Sequence, residues 1–451
     1  MSSSLMSRWQ NDLPVGAPGP APAFLLQLFA AAVDRVSAAR CLPPHLPIGE
    51  PEGETLVLGA GKAAAAMAAI AETHLPGAVR GMVITRYGHV GDGLPDRIIV
   101  REAAHPVPDD MSGEAAREAL NMAAALKPTD RLVFLASGGG SALMSLPGAG
   151  LGVDEKAVLM RHLLHSGAAI EAMNCVRKHL SAIKGGRLAA ASGTQDIHSF
   201  VISDIPSDDP AMVASGPTLA DPTTLADARA IMEKIGSPDP ALIDPALIDQ
   251  VLNDPRNETP KYVPGICHLI ATGEDALVAA ATVAEQGGDE AVGKAKAPVI
   301  INLGAKLTGE ARDLGAAHAR LALDHAARRR AGDPPVLILS GGETGVTVRN
   351  ADGCGGRNLE YLAGLAHGLD GAPGIIALAA DTDGIDGSED NAGAFVLPDT
   401  LGRARAAGVD TMRAQQQNRT HDIFRAAGTL LHTGPTLTNV NDFRAILVGA
   451  P

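Results

Sequence analysis

Residues 56–68 read LVLGAGKAAAAMA: a short apolar run, a glycine turn and an alanine-rich stretch of helical length. A buried strand that turns through glycine into a helix is the opening unit of a doubly wound α/β sheet. Gly59, Gly61 and Ala64 satisfy G-x-G-x-x-A, the relaxed dinucleotide fingerprint. Lys62 fits that reading poorly, because a strongly hydrated ammonium beside a tight turn needs an anionic partner. The fingerprint also calls for an acid about 20 positions on, at the end of the next strand. Here that strand, GMVIT, runs into Arg86 and Tyr87. An arginine could accommodate the extra phosphate of NADP, which keeps a reductase open as a weaker reading beside a charged phosphoryl-transfer site.

The same grammar recurs outward from this stretch. MVITRYG, IIVREAAHP, LVFLASGGGS and FVISDIPSDD each begin as an apolar run closed by a turn. Short buried strands alternating with helices predict a mostly parallel, Rossmann-like sheet with helices on both faces. Residues 236–265, GSPDPALIDPALIDQVLNDPRNETPKYVPG, are rich in proline and polar groups, and place a domain boundary near their end. The expected organisation is a loose terminus over 1–17, an N-terminal domain over 18–262 and a C-terminal α/β domain over 263–451. In the latter, ICHLIATGEDALVAAATVAEQGG reads as strand, turn and helix, APVIINLG and PPVLILSGGE as strands, and IIALAADTDGIDG as a strand ending in a carboxylate-rich loop.

Composition narrows the class. A net charge of -14 and 2% aromatic residues leave out the basic footprint and stacking platforms of a nucleic-acid binder. An acidic chain that binds an anion must gather its cations locally, so cations beside glycine turns carry weight. Cys41, Cys175, Cys267 and Cys354 form no C-x-x-C, which argues against zinc and a disulfide framework and suits a reducing cytoplasm. AFLLQLFAAAV at 23–33 runs into Asp34 and Arg35 and reads as an amphipathic helix, with no stretch of the length a membrane span needs.

Ligands of open α/β sheets bind beyond the carboxyl ends of the strands, so the turns there are the candidate sites. ASGGGSALM at 136–144 offers Ser137, Gly138, Gly139, Gly140 and Ser141 as an anion cradle of backbone amides. ISDIPSDDPAMVASGPT at 202–218 puts Asp204 directly after a strand, as a general base or a turn cap, with Asp208 and Asp209 in structural roles. LSGGETGVTV, GCGGRNLE and LAADTDGIDGSEDNAG contribute Glu343, Arg357, Asp381, Asp383 and Asp386, a magnesium and phosphate neighbourhood or a turn-rich structural loop. RKHLSAIKGGRLA at 177–189 reads as a helix whose cations Lys178, Lys184 and Arg187 face solvent. His162 and His165 lack the company a metal site needs, and His105 lines a site or shapes its turn.

Nine motifs in this order resemble the glycerate 2-kinase family, whose carboxyl-terminal part is called the MOFRL domain. They are GAGKAA, HPVPD, SGGGSAL, KHLSAIKGG, ISDIPSDDPAMVASGPT, LSGGETGVTV, GGRN, TDGIDG and TGPTLTNVND. Members of that family are also often labelled hydroxypyruvate reductase, which makes an NAD(P)H-dependent reduction the alternative activity. The resemblance implies ATP- and Mg²⁺-dependent phosphorylation of D-glycerate at its 2-hydroxyl, in a cytoplasmic monomer or homodimer with its site in the cleft between two α/β domains. By motif it implies catalytic roles for Lys62, Asp204 and Arg357. It further implies substrate or nucleotide binding at Gly59, Gly61, Ser137–Ser141, Glu343 and Asn439, with metal at Asp383 and Asp386. Ser207, Asp381 and Leu437 stand where the family commonly has glycine, and Leu359 where it commonly has glutamine. No G-x-x-x-x-G-K-[ST] occurs, so the nucleotide cradle is of another kind, with Ser137–Ser141 its leading candidate.

Overall fold

The structure, a computed structural model, describes residues 2–14, 19–91, 93–286 and 297–449. Of the terminus expected to be loose, residues 1 and 15–17 lie outside the described part, as do residues 287 and 288 at the end of the ICHLIA unit. Ser2–Trp9 instead form a helix, because Trp9 finds an apolar partner and stacks on Phe29 at 5.5 Å between ring centroids.

Twelve strands are described: β1 (Thr55–Ala60), β2 (Val79–Arg86), β3 (Ile98–Ala103), β4 (Arg131–Ala136), β5 (Asp196–Ile202), β6 (Ile266–Ala271), β7 (Val299–Asn302), β8 (Val336–Gly342), β9 (Ile375–Asp381), β10 (Gly393–Val396), β11 (Leu430–Leu431) and β12 (Asp442–Val448). The first sheet has the order β3-β2-β1-β4-β5-β6. Its pairs from β3 through β5 are parallel, as the apolar runs predict. β1 and β4 are buried along their whole length, as expected for strands covered on both faces. The order reverses between β1 and β4, so the GAGK turn after β1 and the SGGGS turn after β4 flank a topological switch point.

The second sheet has the order β11-β10-β9-β12-β8-β7 and is mixed. β12 lies between β8 and β9, antiparallel to both, and pairs Asp442 with Gly342 on one side and Asp381 on the other. Three strand ends therefore meet at one rim. The helix Arg357–Leu369 covers this sheet together with Ala311–Arg328, burying Leu359, Tyr361, Leu362 and Leu365 against Ile338, Ala377 and Ile446.

The chain divides into two compact units, one of Cys41–Ser203 and Asp208–Ile270, the other of Met1–Arg40, Asp204–Ser207 and Ala271–Pro451. This division differs from the expected boundary at 262/263 in three places, of which Asp204–Ser207 is the shortest. The helix Ala21–Val36 belongs to the second unit, where Phe29 meets Phe443 at 5.6 Å. β6, expected to open the C-terminal domain, lies beside β5 in the first sheet. The proline-rich stretch is no linker, because Ile248, Val251 and Leu252 of its helix Pro245–Asn253 are buried with Leu225, Met232 and Leu159 in a core of the first unit. No single helix among the described residues is long and apolar enough to cross a membrane.

Candidate active site

In the first unit the two glycine turns at the switch point are fastened to each other. Lys62 donates its amide to Gly138 O (2.9 Å), and the Ala63 amide donates to the buried Ser137 Oγ (3.0 Å). Gly61 has φ 141°, and a Cβ there would stand 2.1 Å from Ser137 Oγ, so only glycine permits the turns to close. Gly59 serves packing as well, since a Cβ on it would stand 2.5 Å from Leu135 O. The amides of Gly138 and Gly139 have no acceptor among the described residues, which leaves two adjacent N–H groups for an anion. Gly139, at φ 81°, lies against the His105 ring: a Cβ would meet Cδ2 at 3.1 Å and Nε2 at 3.2 Å, with Lys62 Cγ at 3.6 Å.

Behind the SGGGS turn the polar groups are buried. Lys184, 3% exposed, donates to Ser141 O (2.6 Å) and Met144 O (3.1 Å), and Lys156 donates to Leu146 O (2.8 Å). Burial pushes the Lys156 ammonium down to about 7, and drives Lys184 downward too, aided by the charges of Lys156 and Arg177. Lys178 pairs with Asp221 at 3.3 Å, both buried, and Arg187 donates to Asn257 O. The expected solvated cationic face is thus corrected. The helix stops at His179, and left-handed Gly185 (φ 58°) and Gly186 (φ 83°) turn the chain inward. Ser141 Oγ shares a hydrogen bond with Ser215 Oγ, and Ala214 and Ser215 hold left-handed φ values of 52° and 58°. Strained backbone of this kind persists where its surroundings determine it.

In the second unit Arg357, the first residue of its helix, is the hub of the three strand ends. Nε donates to Asp442 (2.7 Å), Nη1 to Glu343 (2.7 Å) and Nη2 to Asp381 (2.7 Å). Burial works against the guanidinium's charge, yet the carboxylates of Asp442, Asp381 and Glu343 hold its pKa well above the usual arginine range. Arg444 also pairs with Asp442, so two cations stand among three carboxylates, an excess of one negative charge on oxygen donors of the kind a hard divalent cation takes. Asp386 is committed elsewhere. Its oxygens accept the amides of Asn358 (3.0 Å) and Leu359 (2.9 Å), capping the helix that Arg357 opens. Burial raises Asp386 to about 7 in spite of those two bonds. Asp383 is buried and accepts the Ile385 amide at 2.8 Å.

Asp204 lies in the segment of the first sheet's loops that joins the second unit. Asn439 Nδ2 donates to its Oδ2 at 3.1 Å, and Asn441 donates to its carbonyl. Leu437, at φ 63°, occupies a left-handed position, which gives the physical reason for the glycine common there in the family. Asp209 caps its turn through the Ala211 amide (3.0 Å), the structural role expected of it.

Two participants were not singled out from the sequence as site residues. Asp442 is one: it closes the TGPTLTNVND motif and opens an apolar run, and strand pairing delivers it to Arg357. His89 is another, buried at the turn after β2. Among the described residues one group has metal-ligand spacing, Cys354, His421 and Asp422, but Asp422 is held by Arg419 and Arg425 at 2.7 Å each.

Two family models match the chain: one described as a domain of unknown function, DUF4147, over residues 24–252, and the MOFRL family over residues 336–442. A D-glycerate 2-kinase of Thermotoga maritima is 36% identical over 389 residues, 86% of this chain and 89% of that protein. An Agrobacterium vitis protein named putative hydroxypyruvate reductase is 46% identical over 429 residues, 94% of each. The crystal structure of a glycerate kinase from Thermotoga maritima matches with a TM-score of 0.80 at 33% identity, covering 94% of this chain and 98% of that one.

Proposed function

We propose that this chain, which belongs to the glycerate 2-kinase family, transfers the γ-phosphoryl group of ATP to the 2-hydroxyl of D-glycerate, giving 2-phosphoglycerate and ADP. The observation that carries the reading is the switch point of the first sheet, where Lys62 and the open amides of Gly138 and Gly139 stand at the place this topology reserves for phosphates. The kinase names of relatives that align with most of the chain support it.

Phosphoryl transfer needs alignment and neutralisation of spread charge more than covalent help. In the proposed step the substrate's hydroxyl oxygen bonds to the γ-phosphorus as the bond to the ADP oxygen breaks. The hydroxyl proton passes to the Asp204 carboxylate, which Asn439 orients. Lys62 neutralises phosphate oxygens and the glycine amides fix their direction. Mg²⁺, when bound, supplies charge neutralisation on the phosphates. Glu343 and Asp383 are the residues to hold it, since Asp386 is spent on its helix cap. Arg357 fixes the acidic cluster through its three ion pairs.

Reduction of hydroxypyruvate is the second reading, favoured by the name of the Agrobacterium vitis relative. Against it, β2 ends in Arg86 where an acid would hold the adenosine ribose. One pair of assays separates them. Protein with D-glycerate, Mg²⁺ and ATP should release ADP, and protein with hydroxypyruvate and NADH or NADPH should show no loss of reduced-cofactor absorbance. Rapid cofactor oxidation without ADP release would overturn the kinase reading.

A further inference from the structure

Arg86 is left over by this account. It is the last residue of β2, paired in register with Ala103 at the end of β3. The residue is half-buried, yet its side chain has no hydrogen-bond or ion-pair partner among the described residues. Glu102, one residue before the end of β3, accepts the Gly88 amide at 2.7 Å instead. An arginine on a sheet rim commonly reaches solvent, but this one stands in a row. Lys62 lies two residues beyond β1, Arg86 ends β2, and His105 lies two residues beyond β3, so three neighbouring strands each raise one polar side chain at the same edge.

The histidines supply an independent observation. His89, 2% exposed, places Nδ1 3.4 Å from Tyr87 O, and its Nε2 has no partner among the described residues. The His105 ring lies against Gly139 and the stem of Lys62. Burial pushes both imidazoles down to about 4, with Arg86 and Lys62 acting in the same direction. Two neutral rings able to donate and accept, beside an arginine without a counter-ion among the described residues, match a small molecule bearing a carboxylate and a hydroxyl better than they match a polyphosphate.

We propose that Arg86 and His105 form the hydroxy-acid subsite: Arg86 forks onto the substrate carboxylate, His105 hydrogen-bonds one of its hydroxyls, and His89 positions the Arg86 turn from behind. The SGGGS amides and Lys62 are then left to the phosphates. This assignment rests on the kinase reading for the identity of the acid, and divides the one rim into an acceptor half over β2 and β3 and a phosphate half over β1 and β4.

The test is calorimetric titration of D-glycerate, without nucleotide, into the wild type and Arg86→Gln, with glyceramide as the uncharged counterpart. Loss of a charge-assisted fork should weaken D-glycerate binding about 10- to 100-fold. It should also abolish the wild type's preference for the acid over the amide, while the KM for ATP changes less than about 3-fold. Weakened ATP with unchanged D-glycerate would give Arg86 to a phosphate and overturn the proposal, as would no change in either. If Arg86→Gln fails to fold, Arg86→Lys keeps the charge without the fork, and should still bind D-glycerate more weakly than the wild type; equal affinity contradicts the assignment. A chain that binds D-glycerate through Arg86 but releases no ADP defeats the kinase reading and leaves the subsite standing. An active kinase whose KM for D-glycerate ignores Arg86 does the reverse.

Discussion

Above β1 to β4, Lys62 and Arg86 stand among glycine amides and uncharged imidazoles. At the ends of β8, β9 and β12, three carboxylates converge on the single guanidinium of Arg357. The first rim draws part of its positive potential from backbone N–H groups, which require no counter-charge and cost nothing to keep oriented. The second rim gathers carboxylates around two cations, Arg357 at its hub and Arg444 beside Asp442. Removing a charge from the first should therefore disturb ligands, and from the second both ligands and folding.

Arg357→Ala gives the largest expected effect. Three carboxylates, two of them almost fully buried, lose their only shared cation, which costs about 3–5 kcal/mol of stability in urea unfolding. The same variant should lose at least about 10²-fold in kcat/KM. Lys62→Ala should show an activity loss of similar size, at least about 10²-fold, while its stability changes by less than about 1 kcal/mol. Equal destabilisation of the two variants would erase the contrast between the rims.

Lys184→Met sharpens the comparison from beneath the first rim. It strips the carbonyls of Ser141 and Met144 of their buried donor, at about 1–3 kcal/mol, and loosens the turn that presents the cradle amides. The reading of Lys184 as a solvated cation predicts wild-type stability instead, so a single denaturation curve decides between them.

Asp386 gives the one effect here that turns on pH. Its folded value of about 7 lies above the ordinary carboxylate value near 4, so between those limits the folded chain holds a proton that the unfolded chain has released. Its contribution to stability is complete below about pH 4 and disappears as the pH rises through about 7. From pH 5 to 8 the wild-type melting temperature should fall relative to that of Asp386→Asn. Parallel curves would remove Asp386 as the titrating group.

Much of the first rim was legible in sequence, because every parallel βα unit announces itself locally as an apolar run, a turn and a helix. The GAGK and SGGGS turns followed their strands as expected, and Asp204 followed β5. The second rim was legible only in part. Arg357, Glu343 and Asp381 could be grouped by their glycine-rich surroundings, but Asp442 reaches Arg357 through an antiparallel pairing that no local pattern encodes. Arg444, fully buried in β12, breaks the apolar run that would have marked that strand, and its two terminal nitrogens donate to Gly341 O (2.9 Å) and Asp442. Lys178 and Lys184 misled for a related reason: helical spacing suggested one exposed face, whereas the helix ends before Lys184 and tertiary partners take both ammonium groups. Long-range pairing and buried charge are tertiary facts, and these are where the residue-by-residue reading stopped.

The most direct test of the phosphoryl-transfer account is a product spectrum. Wild-type protein incubated with D-glycerate, ATP and Mg²⁺ should show by phosphorus and carbon NMR a single new monoester on the C2 oxygen, formed in step with ADP. A product phosphorylated on the C3 oxygen, or ADP formed with no phosphate ester of D-glycerate, would contradict it.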